Sequence, residues 1–414
     1  MSRVLKGFKI RVYPNATQRA LIARTLGAKR WLWNVALDLR SAAYKERGIR
    51  LSGNDVSRML TGWKKTPGHE WLTLIPATAL TQTLRDLDRA FTNFFAKRAQ
   101  YPRIKKKHHG GRLRFQDVSA AKWRKGQLAL PKFGRLRLAE RLPKSAKPKT
   151  MTLTCDAAGR YFVSFSVEVK IEDLPSTGKT IGVDLGLKHL ATLSTGEKIA
   201  APKKYAGRLR YLKRQQRALA RKQTGSKRRE KQRLRVAKAH VKVAQARNYE
   251  IHQLTTRLVR DYDVIAIEDL NVKGLSRGFL SRSMLDAAFG EFTRQLAYKA
   301  AWYGKQLVKV DRYFPSSKRC SVCGHHLQEL SLSTRSWRCF ECGALHDRDE
   351  NAAINIEREG LRILREPEAF AGVTPESVRM EGRGSWPSER TSQVLPDEVR
   401  SAKISTVASG TQRC

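Results

Sequence analysis

Apolar and polar residues alternate over residues 3–13 (RVLKGFKIRVY), which predicts a strand stopped by Pro14 and Asn15. The period then lengthens. Leu21, Ile22, Leu26, Trp31, Trp33 and Leu37 recur at helical spacing through TQRALIARTLGAKRWLWNVALDLRSAAYKE, and Asn15 is placed to cap that helix. Further helices are expected over 54–64 and 77–98. In the latter, Leu80, Leu84, Leu87, Phe91, Phe94 and Phe95 make one apolar stripe. At such spacing Trp31, Trp33 and Phe91 read as core rather than as a stacking surface.

From residue 112 the pattern shortens again to RLRF, GQLALP, GRLRLAE, TMTLTCD and RYFVSFSVEV, punctuated by Gly and Pro. Such runs predict a small antiparallel barrel, which the first strand would complete, making the helical stretch an insertion. PSTGK (175–179) reads as a linker. TIGVDLGLKHLATLSTGEKIA gives two strands joined by a turn, with Asp184 near the end of the first. Residues 203–247 are helical and broken by TGSK (224–227), which implies two antiparallel helices. A mixed helix over 249–260, a buried strand ending at Glu268 (YDVIAIEDL), a helix over 284–304 and a strand (QLVKVD) follow. DRDENAAINI reads as a helix packed on a sheet, and beyond about Arg365 the polar, Pro/Gly/Ser-rich chain is expected to be disordered.

Charge changes the picture most. The 414 residues carry 82 Lys and Arg against 37 Asp and Glu, a net +45. Self-repulsion on that scale disfavours a compact chain unless a polyanion neutralises it, so nucleic acid is the expected partner. Residues 203–247 hold eighteen Lys or Arg and one acid, Glu230. A solvated helix face usually mixes both signs, so phosphate contact is expected there. The candidates are Arg208, Arg210, Lys213, Arg214, Arg217, Arg221, Lys222, Lys227, Arg228 and Arg229, with Lys105, Lys106 and Lys107 from the basic turn KRAQYPRIKKK. A barrel with cations on its rim also suits a nucleic-acid backbone, though a purely structural barrel remains open. With no apolar run of about eighteen residues and no signal-peptide core near the N-terminus, a soluble, cytoplasmic protein is expected.

Six cysteines are present, four of them as Cys320-x2-Cys323 and Cys339-x2-Cys342. Two such pairs match a four-sulfur zinc site, closed and therefore structural. Two disulfides are the poorer reading for a cytosolic chain. His325, His326 and His346 could substitute as ligands, but read as surface histidines. Three acids stand out by position: Asp184 and Glu268 end apolar runs, and Asp349 opens the last helix. Together they could hold two Mg²⁺ ions roughly 3.5–4 Å apart, for in-line attack on a phosphodiester. Taken singly, each could be an ordinary strand-end or capping residue. Asp347, three residues before Glu350, reads as the N-cap, leaving Asp349 for a metal; Asp269 and Glu291 read as supporting or surface acids. The order of elements fits an RNase H-like fold.

The motifs GVDLG (182–186), IAIEDLN (265–271), FPSSKRCSVCG (314–324) and CGALHDRDENAAINI (342–356) resemble the TnpB family of transposon-encoded RNA-guided nucleases, relatives of type V CRISPR effectors. RVYPNATQRALIARTLGAKRWLWN, NFFAKRAQYPRIKKK and LAYKAAWYG extend the resemblance over roughly residues 5–360; Phe289 stands where Trp is frequent. The resemblance implies an α/β multidomain protein. A RuvC-like, RNase H-fold nuclease domain (176–314 plus 344–365) would carry Asp184, Glu268 and Asp349 as catalytic, Mg²⁺-binding acids. A zinc ribbon (315–343) with one Zn²⁺ on Cys320, Cys323, Cys339 and Cys342 would be inserted in it. A β-barrel wedge domain (1–14 plus 110–175) and a helical recognition domain (15–109) would precede it, and a disordered tail (366–414) would follow. The implied partners are a guide RNA and double-stranded target DNA beside a short transposon-adjacent motif, with no membrane and a monomer favoured; Asn54, Lys64 and Gln82 are candidate readers of that motif. Two rival readings are a protein-only RuvC-type transposase or resolvase, and a non-catalytic zinc-ribbon RNA-binding regulator.

Overall fold

The computed structural model describes residues 2–107, 111–115, 122–124, 126–141, 148, 150–186, 189–200, 203–270, 289–331 and 333–366. Residues 367–414 of the stretch expected to be a disordered tail, and the loop from residue 271 with the first residues of the helix expected from 284, lie outside them.

Strands β1 (Ser2–Tyr13), β2 (Arg112–Phe115), β3 (Lys122–Arg124), β4 (Gln127–Leu130), β5 (Gly134–Leu138), β6 (Met151–Cys155) and β7 (Tyr161–Ile171) form one antiparallel sheet. Its order is β2-β6-β7-β1-β5-β4-β3, so the N-terminal strand is the middle one. β1 pairs with β7 from Ser2↔Ile171 to Val12↔Tyr161 and with β5 at Val12↔Leu138. Alternate residues of the sheet, among them Ile10, Leu113, Leu128, Leu136, Leu153, Val163 and Phe165, share a single buried core. The sheet curls far enough that Phe115 of β2 meets Phe133 of the β4–β5 turn. Among the described residues no β2–β3 ladder closes the curled sheet into the expected barrel.

The inserted helices follow their caps. Asn15 and Gln18 bond each other reciprocally at the start of α1 (Ala16–Arg47), which ends on Gly48 at φ 65°, a left-handed conformation that suits glycine. Ser52 and Asp55 do the same for α2 (Gly53–Trp63). α3 (Ala77–Phe95) stops three residues short of the expected end. Leu32, Val56, Leu60, Leu72, Leu80, Leu84 and Leu87 form the core, with Trp33 buried and Trp31 and Phe91 at its margin. Phe95, expected in the stripe, is 75% exposed. Gln82, by contrast, is buried with its Nε2 donating to Asp86, so it cannot reach a base edge from this conformation.

A second sheet is mixed. β8 (Thr180–Asp184), β9 (His189–Leu193), β10 (Lys198–Ala200), β11 (Val264–Glu268) and β12 (Gln306–Val310) run in the order β10-β9-β8-β11-β12. β8, β11 and β12 are parallel; β9 and β10 are antiparallel additions. β10 is a third strand where the sequence promised two, because Gly196 (φ 84°) makes a second hairpin turn. Helices α4 (Lys203–Ala220) and α5 (Lys227–Asp261) form the expected antiparallel pair, followed by α6 (Phe289–Trp302) and α7 (Arg348–Arg365). No helix among the described residues is long and apolar enough to cross a membrane. The PSTGK segment is no loose linker: Asp263 accepts from Ser176 Oγ and the Thr177 and Gly178 N–H groups, and pairs with Lys305 at 2.5 Å.

Period-2 alternation divides the parallel strands between two faces. Ile181, Val183, Ile265 and Ile267 face α5 and α6, while Gly182, Ala266 and Val310 face α7. A Cβ at Gly182 would lie 2.0 Å from Ala353 O and 2.7 Å from Glu357 N, both α7 backbone. Backbone cannot rotate away, so Gly182→Ala is expected to cost about 3 kcal/mol, the upper end for overpacking. Urea unfolding measures this, and an unchanged midpoint would mean that α7 can retreat freely.

Candidate active site and metal centre

The parallel ladder Ile267↔Val183 places Asp184 and Glu268, one residue further along each strand, side by side at the same sheet edge. α7, seated on Gly182, brings Asp349 in its first turn to that edge. Asp184 feels the charges of the other two acids. Asp184's carboxyl is pushed up to about 7, by burial first and then by the charges of Asp349 and Glu268, against a weaker pull from Arg348. Burial also raises Glu268. Arg335 Nη1 lies 3.7 Å from Asp349 Oδ1. Desolvated carboxylates that repel one another are a donor set suited to a hard divalent cation.

Asp347 is the cap. Its Oδ1 accepts from the N–H groups of Asp349 and Glu350, both at 3.2 Å, and its Oδ2 meets Lys198 Nζ at 2.5 Å. Asp269 is taken up by Lys309 and Arg312, and Glu291 by Arg294 and Gln295.

The four cysteine sulfurs gather within 4.8 Å of one another. Each pair sits on a turn closed by a glycine N–H, Gly324 to Cys320 O and Gly343 to Cys339 O, with both glycines in left-handed backbone at φ 81° and 70°. Cys320 is held down at about 7: burial pushes it up, but the N–H groups of Cys323 and Val322 outweigh that. Four sulfurs this close, on two glycine-closed turns, fit a tetrahedral zinc shell. His346 is not the surface residue expected from sequence. It is 6% exposed, with Nε2 3.0 Å from Cys320 Sγ; His326 is exposed and His325 half-buried.

The two sites share a helix. Asn351 Oδ1 accepts from Ser321 N at 2.9 Å, and Asn351 and Asn355 both donate to Arg319 O, at 2.8 and 2.6 Å. Arg358 donates to Ser321 O. Thus the knuckle bearing Cys320 is fastened to the helix that carries Asp349. Sequence reading missed these residues; the signal was two asparagines at i and i+4 on an otherwise apolar face, where an unpaired amide would be costly.

The basic hairpin divides. Arg208, Arg210, Lys213, Arg214, Arg217, Arg221, Lys222, Lys227 and Arg228 are exposed along α4, the turn and the start of α5. Arg229 is half-buried, and its Nη1 donates to Leu219 O and Lys222 O, stapling the end of α4. Lys105 is also withdrawn: its Nζ lies 3.2 Å from the Trp33 ring centroid, and burial, then repulsion from Lys29, lower it to about 8. Lys106 and Lys107 are exposed.

A carboxylate cluster at a parallel sheet edge, a four-thiol centre fixed to the same helix and a strongly basic hairpin define a mixed α/β protein with two metal-suited sites. Residues 164–278 match the OrfB_IS605 family, described as "Probable transposase", and residues 289–356 match "Cas12f1-like, TNB domain". Residues 1–48 match a family described as "Helix-turn-helix domain", although here they form one strand and one continuous helix. A Streptomyces pristinaespiralis protein named "Putative RNA-guided DNA endonuclease" is 43% identical over 87% of this chain and 90% of its own length. "Putative RNA-guided DNA endonuclease InsQ" of Escherichia coli K12 is 30% identical over 87% and 93%. A solved Cas12f1-sgRNA-target DNA complex aligns over 86% of this chain and 99% of that one, with a TM-score of 0.49 and 12% identity. The chain belongs to the TnpB family.

Proposed function

We propose that this chain is an RNA-guided DNA endonuclease, with Asp184, Glu268 and Asp349 as its catalytic acids. The observation that carries the reading is the convergence of those three acids at one sheet edge, in a chain whose near relatives bear that name. In this reading the five-stranded sheet with α5, α6 and α7 is the RuvC-like nuclease domain (176–314 plus 344–365), and the four cysteines form a zinc ribbon (315–343). The curled sheet (1–14 plus 110–175) is the wedge domain, and the helices of 15–109 are the recognition domain.

Bound Mg²⁺ would supply a Lewis acid that activates water and stabilises the departing oxygen of a phosphodiester. The chain's part is to hold the acids ready. Asp184 and Glu268 are fixed by the parallel ladder, and Asp349 by the Asp347 cap and the asparagine ties. Guide and target read each other by base pairing, so the protein needs grip more than sequence recognition, and a net charge of +45 serves grip.

The test is programming. Purified protein should carry RNA, and exchanging the guide segment should redirect cleavage to a matching DNA beside one short flanking motif. RNA-free protein that cuts equally well would end the guided reading. The hairpin offers a second measurement. Replacing Arg210, Lys213, Arg217 and Arg221 with Gln should weaken RNA binding and flatten its salt dependence by roughly 0.7–0.9 in log–log slope per lost phosphate contact. Arg229→Gln should instead loosen the α4–α5 turn and leave the slope nearly as it was.

A further inference from the structure

Two contacts meet at His346. Its Nε2 faces Cys320 Sγ at 3.0 Å, and its ring packs on Trp337, its cross-strand partner, with centroids 4.6 Å apart. It also lies in β14 (Leu345–Asp347), the strand that pairs with β13 (Ser336–Arg338) and runs directly into α7. The residue after it is the Asp347 cap, and Asp349 follows two residues later. Zinc binding requires thiolate sulfurs, and a thiolate can only accept. A buried imidazole nitrogen at this distance from one must therefore be the donor, which fixes the proton on Nε2.

We propose that His346 is a positioning residue, whose Nε2–H···Sγ bond to Cys320 locks the four-cysteine centre to the β14–α7 junction and thereby sets where the Asp349 carboxylate lies. The asparagine ties restrain the same knuckle from the helix side, so His346 completes a clamp: Asn351 and Asn355 hold the backbone around Cys320, and His346 holds its sulfur. A donor on a ligating sulfur also withdraws charge from it, which tempers the repulsion among four thiolates. The link to Asp349 rests on the nuclease reading above; the contact with the sulfur does not.

The test uses the full chain with three variants. His346→Phe keeps a ring against Trp337 and removes the donor; His346→Gln returns a donor; Asp349→Ala leaves the zinc centre alone. Zinc release to a chromogenic chelator should be about 10–100-fold faster in His346→Phe, the usual cost of losing a partner to a metal ligand, with partial recovery in His346→Gln. In cobalt-loaded protein the thiolate-to-cobalt charge-transfer band should move to lower energy in His346→Phe and part of the way back in His346→Gln, a shift that packing alone would not produce. Ring ¹⁵N spectra of the zinc-loaded parent should show His346 protonated at Nε2, which reads the contact without any variant. DNA cleavage by His346→Phe should fall about as far as its hold on zinc weakens. An unmoved cobalt band with unchanged zinc release, an Nδ1–H tautomer, or undiminished cleavage despite a shifted band each overturns the proposal. If Asp349→Ala still cut DNA, the active-site assignment would fail, while the cobalt, zinc and ¹⁵N measurements would still decide the His346–Cys320 bond.

Discussion

Asp184→Asn is expected to abolish DNA cleavage, keep RNA binding and raise the stability of the metal-free protein. Loss of a carboxylate that positions divalent cations should remove roughly 4 kcal/mol or more of transition-state stabilisation, a fall of about a thousandfold or greater. The stability effect has the opposite sign, and its pH dependence follows from the raised carboxyl. Asp184 in the folded chain titrates at about 7 against an ordinary 3.8, because it is desolvated and faces Asp349 and Glu268. Between those values the folded state binds a proton that the unfolded state has released, so metal-free stability falls as pH rises through that window and levels off above it. Asparagine removes the penalty. The gain in stability, read from the melting temperature, should be absent near pH 4 and complete above pH 7, bounded at roughly 4 kcal/mol. Mg²⁺ should reverse the ranking by stabilising the parent and not the variant. Thermal melts across pH, with and without Mg²⁺, check all of this; a variant no more stable than the parent at pH 8 would mean that Asp184 bears no electrostatic penalty.

Much of this site was legible because local pattern and local chemistry agree there. Asp184 and Glu268 each terminate a β-branched run, and a run too apolar to alternate signals a strand covered on both faces, which is what β8 and β11 are. Asp347 was readable as a cap from the acid three residues on, and the cysteine pairs from their spacing. What escaped depends on neighbours distant in sequence. His346 looked like a surface residue because nothing near it in sequence reveals that β13 and β14 fold its ring under Trp337 and onto Cys320. Arg229 looked like one more phosphate-facing cation, yet its guanidinium turns back onto one carbonyl of α4, Leu219 O, and one of the following turn, Lys222 O. Phe95 fits the period of its stripe, but α3 ends there and the neighbouring core does not extend to cover it. Periodicity specifies which face a residue occupies; it does not say how far the opposing element reaches.

Cys339→Ser is expected to unfold the ribbon and disable the nuclease while leaving the curled sheet intact. Among the described residues the ribbon's own apolar core is Cys320, Leu327, Trp337 and Cys339, with Leu330 at its edge. So few buried side chains cannot offset the conformational entropy of some thirty residues at about 1–2 kcal/mol each for backbone alone. A structural zinc, contributing about 10–16 kcal/mol in small domains, supplies the difference. Without it the knuckle turns lose their reason to form, and the backbone groups of Arg319 and Ser321 no longer present themselves to Asn351, Asn355 and Arg358. Those asparagines are then buried with unpaired amides, which favours fraying of the first two turns of α7, the turns that hold Asp349 at the sheet edge. Amide hydrogen exchange should therefore show lost protection at the start of α7 and in β14, with the β1–β7 ladder unchanged. DNA cleavage measured with Mg²⁺ in excess should fall at least as far as in Asp349→Ala, and bound RNA should persist because the curled sheet and the α4–α5 hairpin make no use of the four cysteines. If the variant binds no zinc yet keeps α7 protected and cuts DNA normally, the zinc does not brace the active site, and the asparagine ties hold Asp349 in place without it.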